Sequence, residues 1–408
     1  MEWKPARQAA LDQLFAFTPR AGKVYAAERN FDLGMDLHEG VSRLSPWIRN
    51  RMLLEEEVLA QTLSNHSFQS AEKFISEVFW RGYFKGWLEH RPEVWARYRT
   101  NLTDYVKQLE QDASLLQRYE TAVKGTTGIT AFDYWVRELT QTGYLHNHAR
   151  MWFASIWIFT LELPWELGAD LFYRHLLDGD AASNTCSWRW VGGLHTKGKS
   201  YAARASNIER FTNGRFNITG LAIDTSPLHE PPLPAPAKLS MGEGREEIPP
   251  GKVGLILTEE DCSPDRLPLA TAPSAILALL DPSPRSVLAS SSKVEAFSRQ
   301  CVLEAAQLAS ARWEAACQKS SDSNWNEVIT DWVNQHNLAA LVTARIPIGP
   351  TRKRLTRACR ELSIPLAEIT RPYDALVWPQ AKAGFFGLRK KIPSILSQLD
   401  LGQLNLGL

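Results

Sequence analysis

Between residues 218 and 251 the chain carries seven prolines: Pro227, Pro231, Pro232, Pro234, Pro236, Pro249 and Pro250. Proline fixes φ and lacks an amide hydrogen, so a stretch this rich in it sustains neither a helix nor a central strand and reads as an extended linker. The linker divides the 408 residues into two units of ordinary domain size, residues 1–217 and 252–408.

The hydrophobic rhythm changes across the linker. Before it, Leu53–Leu63, Ala71–Trp87, Trp95–Arg118 and Ile129–Gln141 place apolar residues at three- and four-residue spacing, which predicts a nearly all-helical unit. After it, Val253–Leu257, Ala275–Leu280 and Leu338–Ala344 are short apolar runs, and Lys293–Cys317, Asn324–Gln335 and Arg352–Glu361 read as helices. Leu366–Thr370 and Ala375–Trp378 follow as further apolar runs. Strands alternating with helices predict a doubly wound α/β unit, a parallel sheet with helices on both faces. The basic helix Arg352–Arg360 is expected to be a solvated face.

Charge and cysteine content exclude several roles. With 46 basic and 45 acidic residues the net charge is +1, so any contact with a polyanion must come from a local patch. Five cysteines without a C-x-x-C pair indicate neither a zinc site nor a disulfide framework, and suit a reducing, cytoplasmic setting. Met1–Ala10 has no signal-peptide core. The most apolar run, Met151–Leu163, is too short to span a membrane and stops at Pro164. Of 15 Trp, 11 fall within the first 190 residues.

Four clusters in that half have chemical potential. Glu77, Trp80 and Arg81 share one helix face, setting a carboxylate, a flat ring and a cation side by side; an amphipathic helix with a surface ion pair and a core Trp is the plainer alternative. In Thr142–Met151, Asn147, Arg150 and Met151 share a face, and Thr142-Gly143 is read as the entry to their helix. His146 and His148 are two apart, which points them away from each other on a helix and argues against a metal pair. Asp178-Gly179-Asp180 lacks the later ligands of a calcium loop, so pairing of an acid with an Arg is the more economical use. Val41-Ser42-Arg43-Leu44-Ser45 offers hydroxyls and amides just before a helix, suited to phosphate or to a simple N-cap.

Taken in order, these clusters resemble the FAD-binding helical domain of the DNA photolyase/cryptochrome family over about residues 10–216. The resemblance implies that Tyr25, Val41, Ser42, Arg43, Leu44 and Ser45 grip the phosphates and ribitol of FAD. It implies an Arg150–Asp178 pair against the isoalloxazine, Asp180 at the ring edge and Asn184 opposite N5, with Arg81, Tyr144 and Asn147 completing the cofactor set. Glu77, Trp80, Asn147, Met151 and Trp190 match the cavity that receives a flipped-out pyrimidine dimer. Arg29, His148, Lys197 and Lys199 match or extend the DNA-contacting positions, with Arg204, Arg210 and Arg215 continuing the basic stretch.

The activity so implied is blue-light electron donation from reduced FAD to pyrimidine dimers in DNA. The alternative is a cryptochrome-like photoreceptor that acts on a signalling partner, and a light-inert flavoprotein is a third possibility. Trp188 and Trp165 match the first two members of the family's electron-transfer chain. The third position falls on Asp112, leaving Trp157, Trp152 and Tyr105 as candidate exits. Gly82-Tyr83 stand where the family has Glu-Phe.

The C-terminal unit resembles the family's antenna domain, relocated from the front of the chain to its end. Val253–Leu257 sits as its first strand, and Tyr373–Trp378 with Phe385-Phe386 as its closing stretch. The basic signature expected after strand one is replaced by Thr258-Glu259-Glu260-Asp261-Cys262, which argues against a second, antenna chromophore.

Overall fold

The computed structural model describes residues 3–196, 198–239, 250–269, 271–399 and 401. The first half is helical, and its long central helix, Phe68–Glu89, begins where the Ser67 side chain accepts from the Ser70 amide. The expected Trp95–Arg118 helix is instead two, Pro92–Gln111 and Ala113–Lys124. Asp112 breaks it: its carboxylate accepts from the Leu115 amide (2.9 Å) and caps the second helix.

Gly143 closes the Thr130–Thr142 helix and does not open the next one. Its φ of +71° and its amide bond to the Leu139 carbonyl (2.9 Å) form a left-handed C-terminal cap. The following helix, Asn147–Ser155, is capped by His146, whose Nδ1 accepts from the His148 amide (3.2 Å). Two of the Trp lie in the core between these helices. Trp135 and Trp152 stack at 5.5 Å, and their indole N–H groups donate to Asp32 and Asn207.

Residues 218–239 run without helix or strand and are strapped to the helical half. Leu228 and Ala237 donate their amides to Gly192 and His90 (2.8 Å each), and Arg97 donates to the carbonyls of Pro231 and Pro232. The linker residues 240–249 lie outside the described residues.

The second half is a five-stranded parallel sheet: β1 (Val253–Leu257), β2 (Ala275–Leu279), β3 (Cys317–Ser320), β4 (Ala340–Ala344) and β5 (Leu366–Ile369), in the order β3-β2-β1-β4-β5. In the centre, Leu255 pairs with Ile276 on one side and Val342 on the other. Two expectations are corrected. Cys317 belongs to edge strand β3, because the preceding helix ends at Trp313 with Glu314 at φ +50°. Ala375–Trp378 is the end of a helix, Pro372–Val377, and the start of a tight turn, Trp378–Gln380. Proline at the first position starts that helix.

The two halves meet closely. A Cβ on Gly86 of the central helix would lie 2.6 Å from the Trp378 Cα, and one on Gly82 would lie 2.8 Å from the Tyr373 ring. The acidic run after β1 is buried in this contact. Arg49 of the helical half donates to both Glu260 oxygens (3.0 and 2.8 Å), Arg51 bridges both oxygens of Asp374 (2.7 Å), and Asp261 pairs with Arg371. Sheets of this topology take ligands in the crevice at the carboxyl ends of the strands where the order reverses, here between β1 and β4. Arg49, Glu259, Glu260 and Thr351 fill that crevice and leave only about 10 Å³. The Pro350–Glu361 helix is only partly solvated: Arg352 pairs with Glu89, and Arg354 lies 3.9 Å over the Trp325 ring. Among the described residues no helix is long and apolar enough to cross a membrane.

Candidate functional site

A cavity of about 520 Å³ opens within the helical half. The central helix contributes Phe74, Glu77, Val78, Trp80, Arg81 and Phe84, a stripe repeating at three- and four-residue spacing. Opposite it, the Asn147–Ser155 helix presents Asn147, His148, Arg150 and Met151.

The loop Val41–Leu44 closes another wall. Arg43 adopts φ +56°, and the carbonyls of Ser42 and Arg43 accept from Gln13 and Trp3, residues outside the cavity (2.9 and 3.1 Å). The helix Ser45–Arg49 has Leu44 as its capping residue and no side-chain cap, so the N-cap alternative for these serines fails. Ser42 and Ser45 line the cavity instead.

Two buried carboxylates and two guanidiniums form its electrostatic centre. Arg150 lies 3.0 Å from Asp178, and Arg81 lies 2.9 Å from Asp180 and 4.0 Å from Asp178. Burial opposes ionisation of both acids. Burial is the largest single influence, but Arg150 and Arg81 with hydrogen bonds at Asp178, and Arg81 and Lys85 with the Ser183 hydrogen bond at Asp180, together outweigh it, so both pKa values fall below the usual carboxylate range. Asp180 does not line the cavity. It accepts from the amides of Ala182 and Ser183, fixing the π turn Ala182–Cys186 that presents Asn184. Asn184 donates to Asp178 (3.2 Å) and accepts from the Ser183 hydroxyl (2.8 Å).

Tyr25, Tyr144, Trp188 and Trp190 also line the cavity. Glu77 is ion-paired with Arg29, and both border the cavity. His148 stacks on Trp152 (4.0 Å), and its Nδ1 meets the Asn30 carbonyl (3.0 Å). Burial pushes its pKa down, so it is a neutral hydrogen-bonding ring at neutral pH. His146 faces the other way, stacked on His38 at 5.5 Å. Trp165 stands apart from the cavity, against Tyr98. Lys199 is exposed on the surface, and Lys197 lies outside the described residues.

Sequence reasoning missed Phe74, Phe84, Asn30, Ser183 and Ser187 among the lining residues. Phe84 was accessible to it, lying seven residues after Glu77 on the same stripe. Asn30 carried no such signal. The chemistry of the lining suits a large ligand with a planar polar ring and an anionic tail: hydroxyls and a cationic edge together with aromatic walls.

Residues 74–215 match the family described as the FAD binding domain of DNA photolyase. The chain is 34% identical over 198 residues to a deoxyribodipyrimidine photo-lyase of Thermus thermophilus, covering 48% of this chain and 45% of that protein. It is 28% identical over 200 residues to the deoxyribodipyrimidine photo-lyase of Escherichia coli, covering 48% and 40%. A crystal structure of the Synechocystis sp. PCC6803 cryptochrome is similar at a TM-score of 0.45 and 22% identity, covering 52% of this chain and 44% of that one. The chain spans less than half the length of each. The family match makes FAD the cofactor, and the cavity fits it: Arg81 Nε is buried there without a hydrogen-bond partner, a donor awaiting a polar ligand.

Proposed function

Because residues 74–215 match the FAD binding domain family of DNA photolyase, we propose that the protein is a light-driven flavoenzyme that splits pyrimidine dimers in DNA. One observation carries this reading. The same cavity is lined by the phosphate-suited loop and Arg150–Asp178 pair, and by Glu77, Trp80, Met151 and Trp190, a set suited to an extruded pyrimidine dimer.

FAD, when bound and reduced, supplies an electron on absorbing blue light. Ser42, Arg43, Leu44 and Ser45, with Tyr25 and Val41, hold its phosphates and ribitol. Arg150, Asp178, Arg81, Tyr144 and Asn184 orient the ring system, with Asp180 holding Arg81 in place. Trp80 and Trp190 are the apolar planes that exclude water around the lesion, while Asn147 and Met151 complete its floor. Glu77 hydrogen-bonds the lesion once Arg29 swings from it toward a phosphate, so the Arg29–Glu77 pair is the resting form of two DNA contacts. His148 contributes a neutral hydrogen bond, and Trp188, lining the cavity, would be the side chain through which an electron could reach a bound cofactor.

The test is reversal of dimers in an irradiated oligonucleotide by reduced protein under blue light. Wild type is expected to reverse them, and Glu77→Ala to lose at least tenfold in rate while keeping FAD. Absence of reversal on single- and double-stranded DNA, with normal flavin photoreduction, rejects the enzyme. A second reading, a cryptochrome-like photoreceptor, is supported by the central helix: it borders the cavity on one face and packs on the α/β half through Gly82 and Gly86, offering a route from the cavity to a partner-binding surface.

A further inference from the structure

Among the described residues one aromatic side chain stands out in solvent: Phe386, 75% exposed. It follows Phe385 in the sequence Gly384-Phe385-Phe386-Gly387. Phe385 is buried, stacked on Trp80 of the cavity at 3.7 Å and 14°. The exposed ring is therefore held beside the cavity wall by its neighbour. A Cβ on Gly384 or Gly387 would meet nothing within 4 Å, so the space around the ring is open.

The surrounding surface is basic and draws on both halves of the chain. The Tyr83 hydroxyl donates to the Ala383 carbonyl (2.9 Å) and contacts His195 Nε2 (3.1 Å). One phenol thereby ties the segment leading into the Phe385–Arg389 helix to the segment around His195, near Lys199. Lys382 and Lys390 are exposed and have no carboxylate partner among the described residues. A single ring set among glycines and lysines lacks the contiguous apolar core of a protein-docking face. It has instead the make-up of a single-strand platform, with an aromatic plane for a base and cations for the backbone.

We infer that the C-terminal α/β half takes part in DNA binding: Phe386 stacks on a nucleobase next to the lesion, and Lys382, Lys390 and Lys199 face the flanking phosphates. This rests on the DNA-repair reading above and extends the footprint to a part of the chain that the FAD-domain match does not include.

The experiment is a fluorescence-anisotropy titration of the full FAD-loaded chain with a labelled single-stranded oligonucleotide, with and without one thymine dimer. Phe386→Ala should bind about tenfold more weakly and Phe386→Trp close to wild type, since base stacking on an aromatic is worth about 1–3 kcal/mol. Replacing Lys382 and Lys390 together by Ala should reduce the slope of log affinity against log salt by about 1.4. Unchanged FAD content reports that each variant is folded. If wild type binds and Phe386→Ala binds equally well, the platform is overturned and the repair reading stands. If wild type binds neither oligonucleotide, both fall.

Discussion

The indole rings of Trp157 and Trp188 meet edge to face, 6.4 Å between centroids at 88°. Gly168 makes room for both: a Cβ there would lie 2.5 Å from Trp188 and 2.9 Å from Trp157. Trp157 leads on to Tyr119 at 6.2 Å. We propose that electrons reaching the cavity through Trp188 travel by this packed path through Trp157, ahead of the Trp165 position that the family resemblance implies. Trp157→Phe should slow FAD photoreduction about tenfold, a barrier change of about 1.4 kcal/mol, and Trp165→Phe much less. Absorbance under steady illumination checks this, and the opposite ranking would return Trp165 to the path.

Arg150 is the closest cation to Asp178, a carboxylate held ionised against burial. Arg150→Ala should lower retention of FAD at least tenfold, because a buried acid that loses its partner costs about 1–3 kcal/mol or more. The flavin-to-protein ratio after gel filtration measures it. Full retention would remove the pair from the cofactor site.

Glu56 gives a pH signature at the contact between the halves. Its Oε1 accepts from the Tyr373 amide (3.2 Å), while its Oε2 is buried without a partner. Burial, and then the neighbouring Glu55, push its pKa up to about 7. The folded pKa lies above the unfolded value of about 4.3, so the protonated group's stabilisation is complete below that value and is lost as pH rises through about 7. Glu56→Gln, neutral throughout, should gain on the order of 3 kcal/mol over wild type at pH 8. The gain should shrink toward pH 5. Thermal unfolding at both pH values decides, and a pH-independent difference would count against a buried proton.

Gly86→Ala should destabilise the chain by about 1–3 kcal/mol, since the added methyl meets the Trp378 backbone at 2.6 Å and neither helix nor turn can yield cheaply. Denaturant unfolding followed by flavin and tryptophan signals would register it. No change in midpoint would mean that the halves do not pack this closely.

What the residue order revealed, and what it hid, follows from where the stabilising contacts lie. The Glu77–Phe84 stripe and strands β1, β2 and β4 were legible, because local periodicity or a short apolar run carries the information. β3 was not: Cys317-Gln318-Lys319-Ser320 is an edge strand with half-exposed residues and no apolar alternation, held only by pairing with β2. The break at Asp112 turns on a single capping hydrogen bond. The burial of Thr258–Asp261 was not legible because its partners, Arg49, Arg51 and Arg371, are each more than 100 residues away. In the site, residue types marked the polar groups well. They did not show that Glu77 and Arg29 would meet each other, or that Phe385 would back Trp80.

The filled crevice between β1 and β4 has one further consequence. Arg49 occupies it as a tethered ligand, delivered by the same chain, so its occupancy is governed by effective concentration and not by the supply of a free molecule. Any diffusing ligand would have to compete with a guanidinium already held at millimolar-scale local concentration and paired with both oxygens of Glu260. At that crevice the chain is its own competitor for any incoming ligand.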